Sequence, residues 1–309
     1  MTDKSRLRLV FIGEGSLPIQ CAEVALDRGH EIMAVVSNDC QLADWAEQNG
    51  IVSFKPTSRL EEQLECYTYD YLFSIVNPNI LSARVLNTAR RYAINYHDSP
   101  LPRYAGAHAT SWAILAQEDR HGVTWHLMTD EIDAGDILTQ KEISLTPDET
   151  AFSLNLKCYE AAVRSFDELL AMFTDGQIVP QQQDLRQRTY FALNDRPPAA
   201  SLISWNTSAA AISALIRSMN FGPYENPLGL PKFRTPSGKY LLTTNAKVRT
   251  RDAGLREAGQ ILAITDRQIE VSARAGTVLI EQICDLDGRV VDLDILANKY
   301  ELRIGNILP

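Results

Sequence analysis

The chain has 309 residues, 45% hydrophobic and 22% charged, which predicts a globular protein of two domains. Its net charge of −9 and the lack of a dense Lys/Arg cluster argue against a protein that grips nucleic acid, because phosphate binding needs a basic surface. No run of about 18 apolar residues, no signal-peptide core and no CxxC pair occurs, so we expect a cytoplasmic protein without a membrane span, disulfide framework or metal site.

The first half of the chain alternates strand and helix signals, which is typical of a parallel α/β sheet. Strands are predicted at residues 7–12, 31–36, 70–76, 92–96, 122–128 (half-buried, from its alternating side chains) and 137–144. Helices are predicted at residues 18–28, 41–48, 110–117 and 146–173. Gly13 and Gly15 after the first strand could admit a dinucleotide, but Pro18 replaces the third glycine of that motif and favours a simple tight turn.

The second half begins with a polar, glutamine-rich stretch at residues 180–188 which, with residues 194–198, is typical of a linker. A helix is predicted at residues 208–219. Strand-like runs separated by turns follow at residues 240–244, 259–265, 268–273 and 277–284, a pattern that suits a small β-barrel. The expected organisation is an N-terminal α/β domain at residues 1–185, a linker at 186–205 and a C-terminal domain at 206–309.

The most informative motif lies at the end of the strand predicted at residues 92–96. Asn95 and His97 are two residues apart, so they project from one face of an extended chain, and a loop rich in proline follows up to Gly106. An amide that can stabilise an oxyanion beside an imidazole that can move a proton is what acyl-transfer chemistry needs. An isolated N-x-H is more often structural, so the surrounding sequence decides between the two interpretations.

Residues 95–106, NYHDSPLPRYAG, resemble the signature N-x-H-x-S-L-L-P-x-Y-x-G of the folate-dependent formyltransferases. Residues 122–138, GVTWHLMTDEIDAGDIL, resemble the second signature of that family, G-V-T followed by D-E-x-D-x-G-x-I-L. Further likeness at residues 195–197, 203–205 and 216–220 extends the resemblance over nearly the whole chain. It implies a Rossmann-like, mostly parallel α/β sheet followed by a smaller OB-like β-barrel domain.

The resemblance also implies an activity, the transfer of a formyl group from 10-formyltetrahydrofolate to an amine. On the matching positions, Asn95 would donate to the oxyanion, His97 would polarise the formyl group and pass protons, and Asp133 would fix the charge and orientation of His97. The folate is expected to contact Asn79, Ile80, Leu81, Thr129, Asp130, Glu131 and Ile132. Core packing remains an alternative for Ile80 and Leu81, and His126 is expected only to pack in the core or at the surface.

The acceptor amine is predicted less directly. Initiator-tRNA formyltransferases carry a basic insertion soon after the second strand, whereas residues 35–42 contain no Lys or Arg, so tRNA is disfavoured. Residues 219–229 resemble the formyltransferase domains that begin nonribosomal peptide synthetases. The preferred acceptor is therefore an aminoacyl group on a carrier protein, with that protein or adjacent synthetase domains as partner. The alternatives are a nucleotide-linked amino sugar, methionyl-tRNA, hydrolysis of the formylfolate, and a folate-binding module without chemistry.

Overall fold

The computed structural model describes residues 6–249, 256–265 and 268–309. The contacts between residues divide the chain into two compact units. The first contains the described parts of Met1–Ala109, Arg120–Ser144 and Leu156–Phe191, and the second those of Thr110–Asp119, Leu145–Asn155 and Ala192–Pro309. The domain limits at residues 185 and 206 stay predictions. Within the described ranges, no helix is both long and apolar enough to cross a membrane.

The first unit is built on a seven-stranded sheet, and a separate two-stranded sheet lies beside it. Its strands are β1 (Arg8–Gly13), β2 (Glu31–Val36), β3 (Ser53–Phe54), β4 (Tyr71–Ile75), β5 (Tyr92–His97), β6 (Ala105–Gly106), β7 (Arg120–Leu127), β8 (Ile137–Ser144) and β9 (Tyr190–Phe191). The large sheet has the order β3-β2-β1-β4-β5-β7-β8, and β6 pairs with β9. The first five strands in this order, β3-β2-β1-β4-β5, are parallel to one another. The last two, β7 and β8, are each antiparallel to the strand before them in the sheet. The predicted α/β fold with a mainly parallel sheet is confirmed.

The helices of this part of the chain connect the strands. They are α1 (Ser16–Asp27), α2 (Cys40–Gln48), α3 (Leu60–Glu65), α4 (Ala83–Leu86), α5 (Ala109–Leu115) and α6 (Ala151–Asp175), with a 3-10 helix at Leu185–Gln187. The predictions for α1, α2, α5 and α6 are confirmed. The sequence analysis missed α3 and α4, because so short a helix carries little periodic hydrophobic pattern.

The large sheet has a hydrophobic core on each face, because alternate side chains of its buried strands point to opposite sides. On one face Phe73 lies 5.6 Å from the ring of Phe11 and 4.9 Å from Phe166 of α6, and Phe166 lies 5.3 Å from Trp125. The other face packs Val10, Ile12 and Leu72 against α3. The prediction that residues 122–128 form a half-buried strand was wrong: β7 is buried from residue 121 to 126. Side chains of this strand also form hydrogen bonds with the loop after β5, through His121 to Asp98 and Thr124 to Ser99.

The second unit contains a five-stranded antiparallel sheet. Its strands are β10 (Lys232–Arg234), β11 (Tyr240–Arg249), β12 (Ile261–Thr265), β13 (Gln268–Ser272) and β14 (Thr277–Cys284), in the order β10-β11-β14-β13-β12. The other elements beyond residue 191 are α7 (Ala209–Ser218), α8 (Leu293–Lys299) and a 3-10 helix at Pro198–Ser201. Ser208 caps α7 by accepting a hydrogen bond from the Ala211 amide, and Ile212 and Ile216 of α7 join the core of the sheet. A smaller antiparallel β domain is confirmed.

The turn between β1 and α1 explains the two glycines of the possible dinucleotide motif. A Cβ on Gly13 would lie 1.8 Å from the carbonyl oxygen of Ile75, so only glycine fits where β1 runs beside β4. Gly15 has a φ of 77°, and its N–H donates a hydrogen bond of 2.8 Å to the Asp39 carboxylate. A phosphate at this helix start would meet the negative charge of Asp39, so the geometry supports the tight turn.

We predict that Gly13→Ala lowers the free energy of unfolding by about 2–4 kcal/mol, because the clashing atom is a backbone oxygen that cannot move aside. Gly15→Ala is the control: nothing lies within 4 Å of its added Cβ, and only its left-handed backbone costs, about 1 kcal/mol. Urea unfolding of the two variants measures the difference. A loss in Gly13→Ala no larger than that in Gly15→Ala would show that the contact with β4 does not decide the residue at position 13.

Candidate active site

The site begins at the carboxyl end of β5, where Asn95 and His97 lie on one face of the strand. Across the sheet, Asn95 is paired with Ser74 of β4 on one side and His126 of β7 on the other. His97 is paired with Thr124 of β7 and is 6% exposed. The antiparallel direction of β7 therefore brings a second histidine to the same place in the sheet as the predicted pair.

The two ring nitrogens of His97 have different partners. Its Nε2 lies 2.8 Å from the carbonyl oxygen of Tyr104, which can only accept, so Nε2 carries a hydrogen and donates it. The other ring nitrogen, Nδ1, lies 3.7 Å from Oδ2 of Asp133. A proton that His97 gains or gives up is therefore carried on Nδ1, on the side that faces the carboxylate.

Asp133 lies in the loop between β7 and β8, with a left-handed φ of 54° and a side chain only 10% exposed. The backbone N–H of Gly106 donates to its Oδ2 at 2.8 Å, and Nε2 of His126 lies 3.5 Å from its Oδ1. Burial raises the pKa of Asp133, but the charge of His97, the contact with His126 and the Gly106 N–H together hold that pKa well below its ordinary value. The carboxylate is therefore ionised at neutral pH.

His126 contacts both other side chains of the site, so the expectation that it only packs was wrong. Its Nδ1 lies 2.9 Å from the carbonyl oxygen of Leu127 and therefore carries a hydrogen. In the neutral ring Nε2 is then an acceptor, and it receives a hydrogen bond of 3.2 Å from Nδ2 of Asn95. This contact fixes which way the Asn95 amide points. Predicting the role of His126 would require the cross-strand pairing of β5 with β7, which a single sequence does not reveal.

The residues predicted to contact a folate lie on two loops. In the loop after β4, Asn79 donates its backbone N–H to Asn77, Ile80 is 82% exposed, and Leu81 belongs to the hydrophobic core of the first unit. In the loop after β7, residues 129–132 are exposed, and the Thr129 hydroxyl donates to the carbonyl oxygen of Glu131. Within the described ranges no hydrogen bond joins residues 79–81 to the three predicted catalytic side chains, so the contacts with a folate stay predictions.

The arrangement can both stabilise negative charge and move a proton. One amide hydrogen of Asn95 goes to His126, and the second has no acceptor in the part of the chain that the structure describes. That hydrogen can be donated to an oxygen that becomes negative during a reaction. Beside it, Nδ1 of His97 faces the Asp133 carboxylate and can accept a proton and later release it.

Both parts of the chain match known protein families. Residues 7–170 match the family described as formyl transferase, and residues 197–301 match the formyl transferase C-terminal domain. The chain is 28% identical to the methionyl-tRNA formyltransferase of Anaeromyxobacter dehalogenans, over 97% of this chain and 100% of that protein. It is 25% identical to the methionyl-tRNA formyltransferase of Lachnospira eligens, over 92% and 93% of the two chains.

Solved structures show the same fold. The sugar 3N-formyl transferase WlaRD, crystallised in the presence of dTDP and 5-N-formyl-THF, superposes with a TM-score of 0.72 at 19% identity, over 90% of this chain and 97% of that one. The N-formyltransferase from Helicobacter canadensis, in complex with folinic acid and dTDP-3-aminofucose, gives a TM-score of 0.71 at 20% identity, over 90% and 99%. At this level of identity the likeness concerns the fold alone.

We predict that Asp133→Asn destabilises the protein in a pH-dependent way. A carboxyl group whose pKa is depressed by folding contributes stability above its unfolded pKa, and that contribution is lost as the pH falls through the folded pKa. The loss of unfolding free energy should be on the order of 1–3 kcal/mol near pH 6 and should shrink below about pH 4. Chemical denaturation across this range measures it.

Asp130→Asn is the matched control, because it removes an exposed carboxylate from the same loop. It should change the unfolding free energy little at either pH, as surface substitutions usually do. If Asp133→Asn were as stable as the parent at pH 6, the buried carboxylate would not be held by its neighbours in the way described.

Proposed function

The chain belongs to the folate-dependent formyltransferase family, and from that membership we propose that Asn95, His97 and Asp133 catalyse formyl transfer to a primary amine. As a member, it is an enzyme whose formyl donor is a formylated tetrahydrofolate. One observation carries the assignment of residues: a buried carboxylate, an imidazole and an amide with an unused hydrogen meet at the end of β5.

The residues present fit the formyl donor. When bound, 10-formyltetrahydrofolate supplies an electrophilic formyl carbon whose oxygen gains negative charge when an amine attacks. The unused amide hydrogen of Asn95 suits that oxygen, and His126 keeps the amide from rotating away. The loops with residues 79–81 and 129–132 are proposed to hold the pteridine, chiefly through their backbone N–H and C=O groups.

His97 is proposed to carry the proton. The attacking amine loses a proton as its nitrogen bonds to the formyl carbon, and the departing folate nitrogen needs one. Nδ1 of His97 accepts the first proton and returns it to the leaving nitrogen, while Nε2–H stays bonded to Tyr104. The Asp133 carboxylate, 3.7 Å from Nδ1, stabilises the imidazolium that exists between the two transfers.

For the acceptor, we propose an aminoacyl group carried as a thioester on a carrier protein. Three features support it. The protein is acidic, with a net charge of −9. Only residues 37–39 separate β2 from α2, so a basic insertion is absent at that point. The segment 219–229, which resembles the formyltransferase domains of nonribosomal peptide synthetases, keeps Tyr224 70% exposed.

Two other acceptors are each favoured by a specific observation. Methionyl-tRNA is favoured by relatives of that name that match this chain along nearly its whole length, which weighs against the inference drawn from net charge. A nucleotide-linked amino sugar is favoured by the similar fold of an enzyme crystallised with dTDP-3-aminofucose. The three acceptors share a primary amine, so the proposed roles of the catalytic residues are the same for all.

A competition for labelled formyl groups decides the acceptor. Equal amounts of an aminoacyl-carrier protein, dTDP-3-aminofucose and methionyl-tRNA are offered together with labelled 10-formyltetrahydrofolate. We expect the label on the carrier-bound aminoacyl group. A label mainly on the sugar or on tRNA contradicts the acceptor proposal and leaves formyl transfer standing. Formylation of tRNA should also fall steeply with rising salt, because binding several phosphates releases counterions.

We expect a loss of kcat of about 100-fold or more in each of three variants, assayed with the amine that the competition identifies: Asn95→Ala, His97→Ala and Asp133→Asn. Each variant removes a group that acts on charge or protons in the transition state. All three should still gain thermal stability from 5-formyltetrahydrofolate, because a ligand of the native state stabilises it by mass action. Asn87→Ala, which removes an exposed amide after α4, is the control and should keep full activity. A His97→Ala enzyme with near-parental kcat would refute the proton-transfer role.

A further inference from the structure

A polar segment that looked like a linker in the sequence lies against the loop that carries Asp133. We call residues 183–191 the polar strap, and Gln181 just before it pairs with the end of the same loop. Gln181 and Ile137 exchange two backbone hydrogen bonds of 2.7 and 2.8 Å. The side chain of Gln183 donates from Nε2 to the carbonyl oxygens of Asp133, at 3.0 Å, and Gly135, at 2.6 Å. The strap therefore holds the backbone of this loop at Asp133 itself and at Gly135.

A third contact of the strap reaches the preceding residues of the same loop. Arg188 donates from its guanidinium to the carbonyl oxygen of Ile132 at 3.0 Å and lies 3.6 Å from the carboxylate of Glu131. The Arg188 side chain is 18% exposed, and its guanidinium lies 5.4 Å from the centre of the Tyr190 ring. The backbone carbonyls on either side of the Asp133 side chain are thus held by two strap side chains.

The other end of the strap holds the loop that follows His97. Thr189 accepts hydrogen bonds from Tyr104 N–H through its hydroxyl, at 2.7 Å, and from Ala105 N–H through its carbonyl, at 2.9 Å. Phe191 accepts from Ala107 N–H at 2.8 Å. These residues surround the Tyr104 carbonyl and the Gly106 N–H, which bind His97 and Asp133. One segment therefore connects both loops whose groups meet at the catalytic carboxylate.

Gln183 is the strap residue whose burial most needs an explanation. It is 7% exposed, and its Oε1 is buried without a hydrogen-bond partner. Burying an amide with an unmet acceptor costs stability, so the residue is not explained by stability alone. Its Nε2 places both hydrogens on the backbone of a loop in which Asp133 has a left-handed φ of 54°, a conformation that needs support from its surroundings.

We propose that the polar strap is a positioning element for catalysis and that Gln183 is its main positioning residue. Gln183 holds the carbonyls of Asp133 and Gly135 so that the Asp133 carboxylate meets Gly106 N–H and faces His97. This inference rests on the proposed catalytic role of Asp133, and it assigns no contact with substrate to Gln183. The physical reason is that a misplacement of about 1 Å in such a group can cost on the order of 100-fold in rate.

Two readouts test the proposal, with Gln183→Met as the main variant, because methionine has a similar length and no donor. Gln182→Met is the matched control, since Gln182 is the exposed neighbour. The first readout is hydrogen exchange of single amides in the free enzyme, which needs neither donor nor acceptor. Gln183→Met should speed exchange at Gly106, which it does not touch, while Ala105 and Ala107 stay protected by the strap backbone.

The second readout is a double-mutant cycle with Asp133→Asn, measured as kcat with 10-formyltetrahydrofolate and the amine accepted in the competition. Gln183→Met alone should lower kcat by about 10- to 100-fold. In the Asp133→Asn background it should lower kcat little further, because its effect passes through a carboxylate already removed. Gln182→Met should leave kcat and the Gly106 exchange rate unchanged.

Three results would overturn the proposal: parental kcat in Gln183→Met, losses that multiply in the double variant, or unchanged exchange at Gly106. If Asp133→Asn itself keeps full kcat, the catalytic role of Asp133 has failed, and exchange at Gly106 still decides whether the strap holds the carboxylate. If Gln183→Met does not fold, Arg188→Leu replaces it. That variant loses the bond to the Ile132 carbonyl and should show the same pattern with a smaller loss of kcat.

Discussion

The interaction on which the site depends is the burial of one charged carboxylate. A carboxylate in a mostly dry environment is costly unless polar groups surround it, and Asp133 accepts a hydrogen bond from the Gly106 N–H and lies beside two histidines. These three groups come from three strands, β5, β6 and β7. The sheet order, the loop conformations and the strap all act together to bring them within reach of a single side chain.

The reversal of strand direction after β5 supplies half of that arrangement. In the parallel part of the sheet, functional groups come from strand ends and the loops beyond them. Because β7 is antiparallel to β5, an interior residue of β7, His126, lies directly opposite Asn95. The amide thus receives its orientation from within the sheet, and the loop after β7 brings Asp133 back over the same histidine.

Features of the fold and the site could be predicted from the sequence when they depend on residues that are close together along the chain. Apolar runs identified the main strands, because burial on both faces leaves a continuous hydrophobic signal. The two-residue spacing of Asn95 and His97 placed them together, since that relation is local. The contact of His126 depends on cross-strand register, and that of Gln183 joins residues 50 positions apart. The polar composition of its surroundings made Gln183 resemble a linker residue. The sequence alone does not distinguish a glutamine that binds backbone carbonyls from one that is exposed to solvent.

The pairing of β6 with β9 has a consequence for how the first unit can be separated from the rest of the chain. A fragment that ended at residue 185 would keep Asn95, His97 and Asp133 but would lose Thr189 and Phe191. The loop after His97 would then give up the bonds that hold Tyr104, Ala105 and Ala107. A protein shortened in this way would keep every catalytic side chain and lack the backbone that supports them. The smallest piece that retains the whole site reaches Phe191.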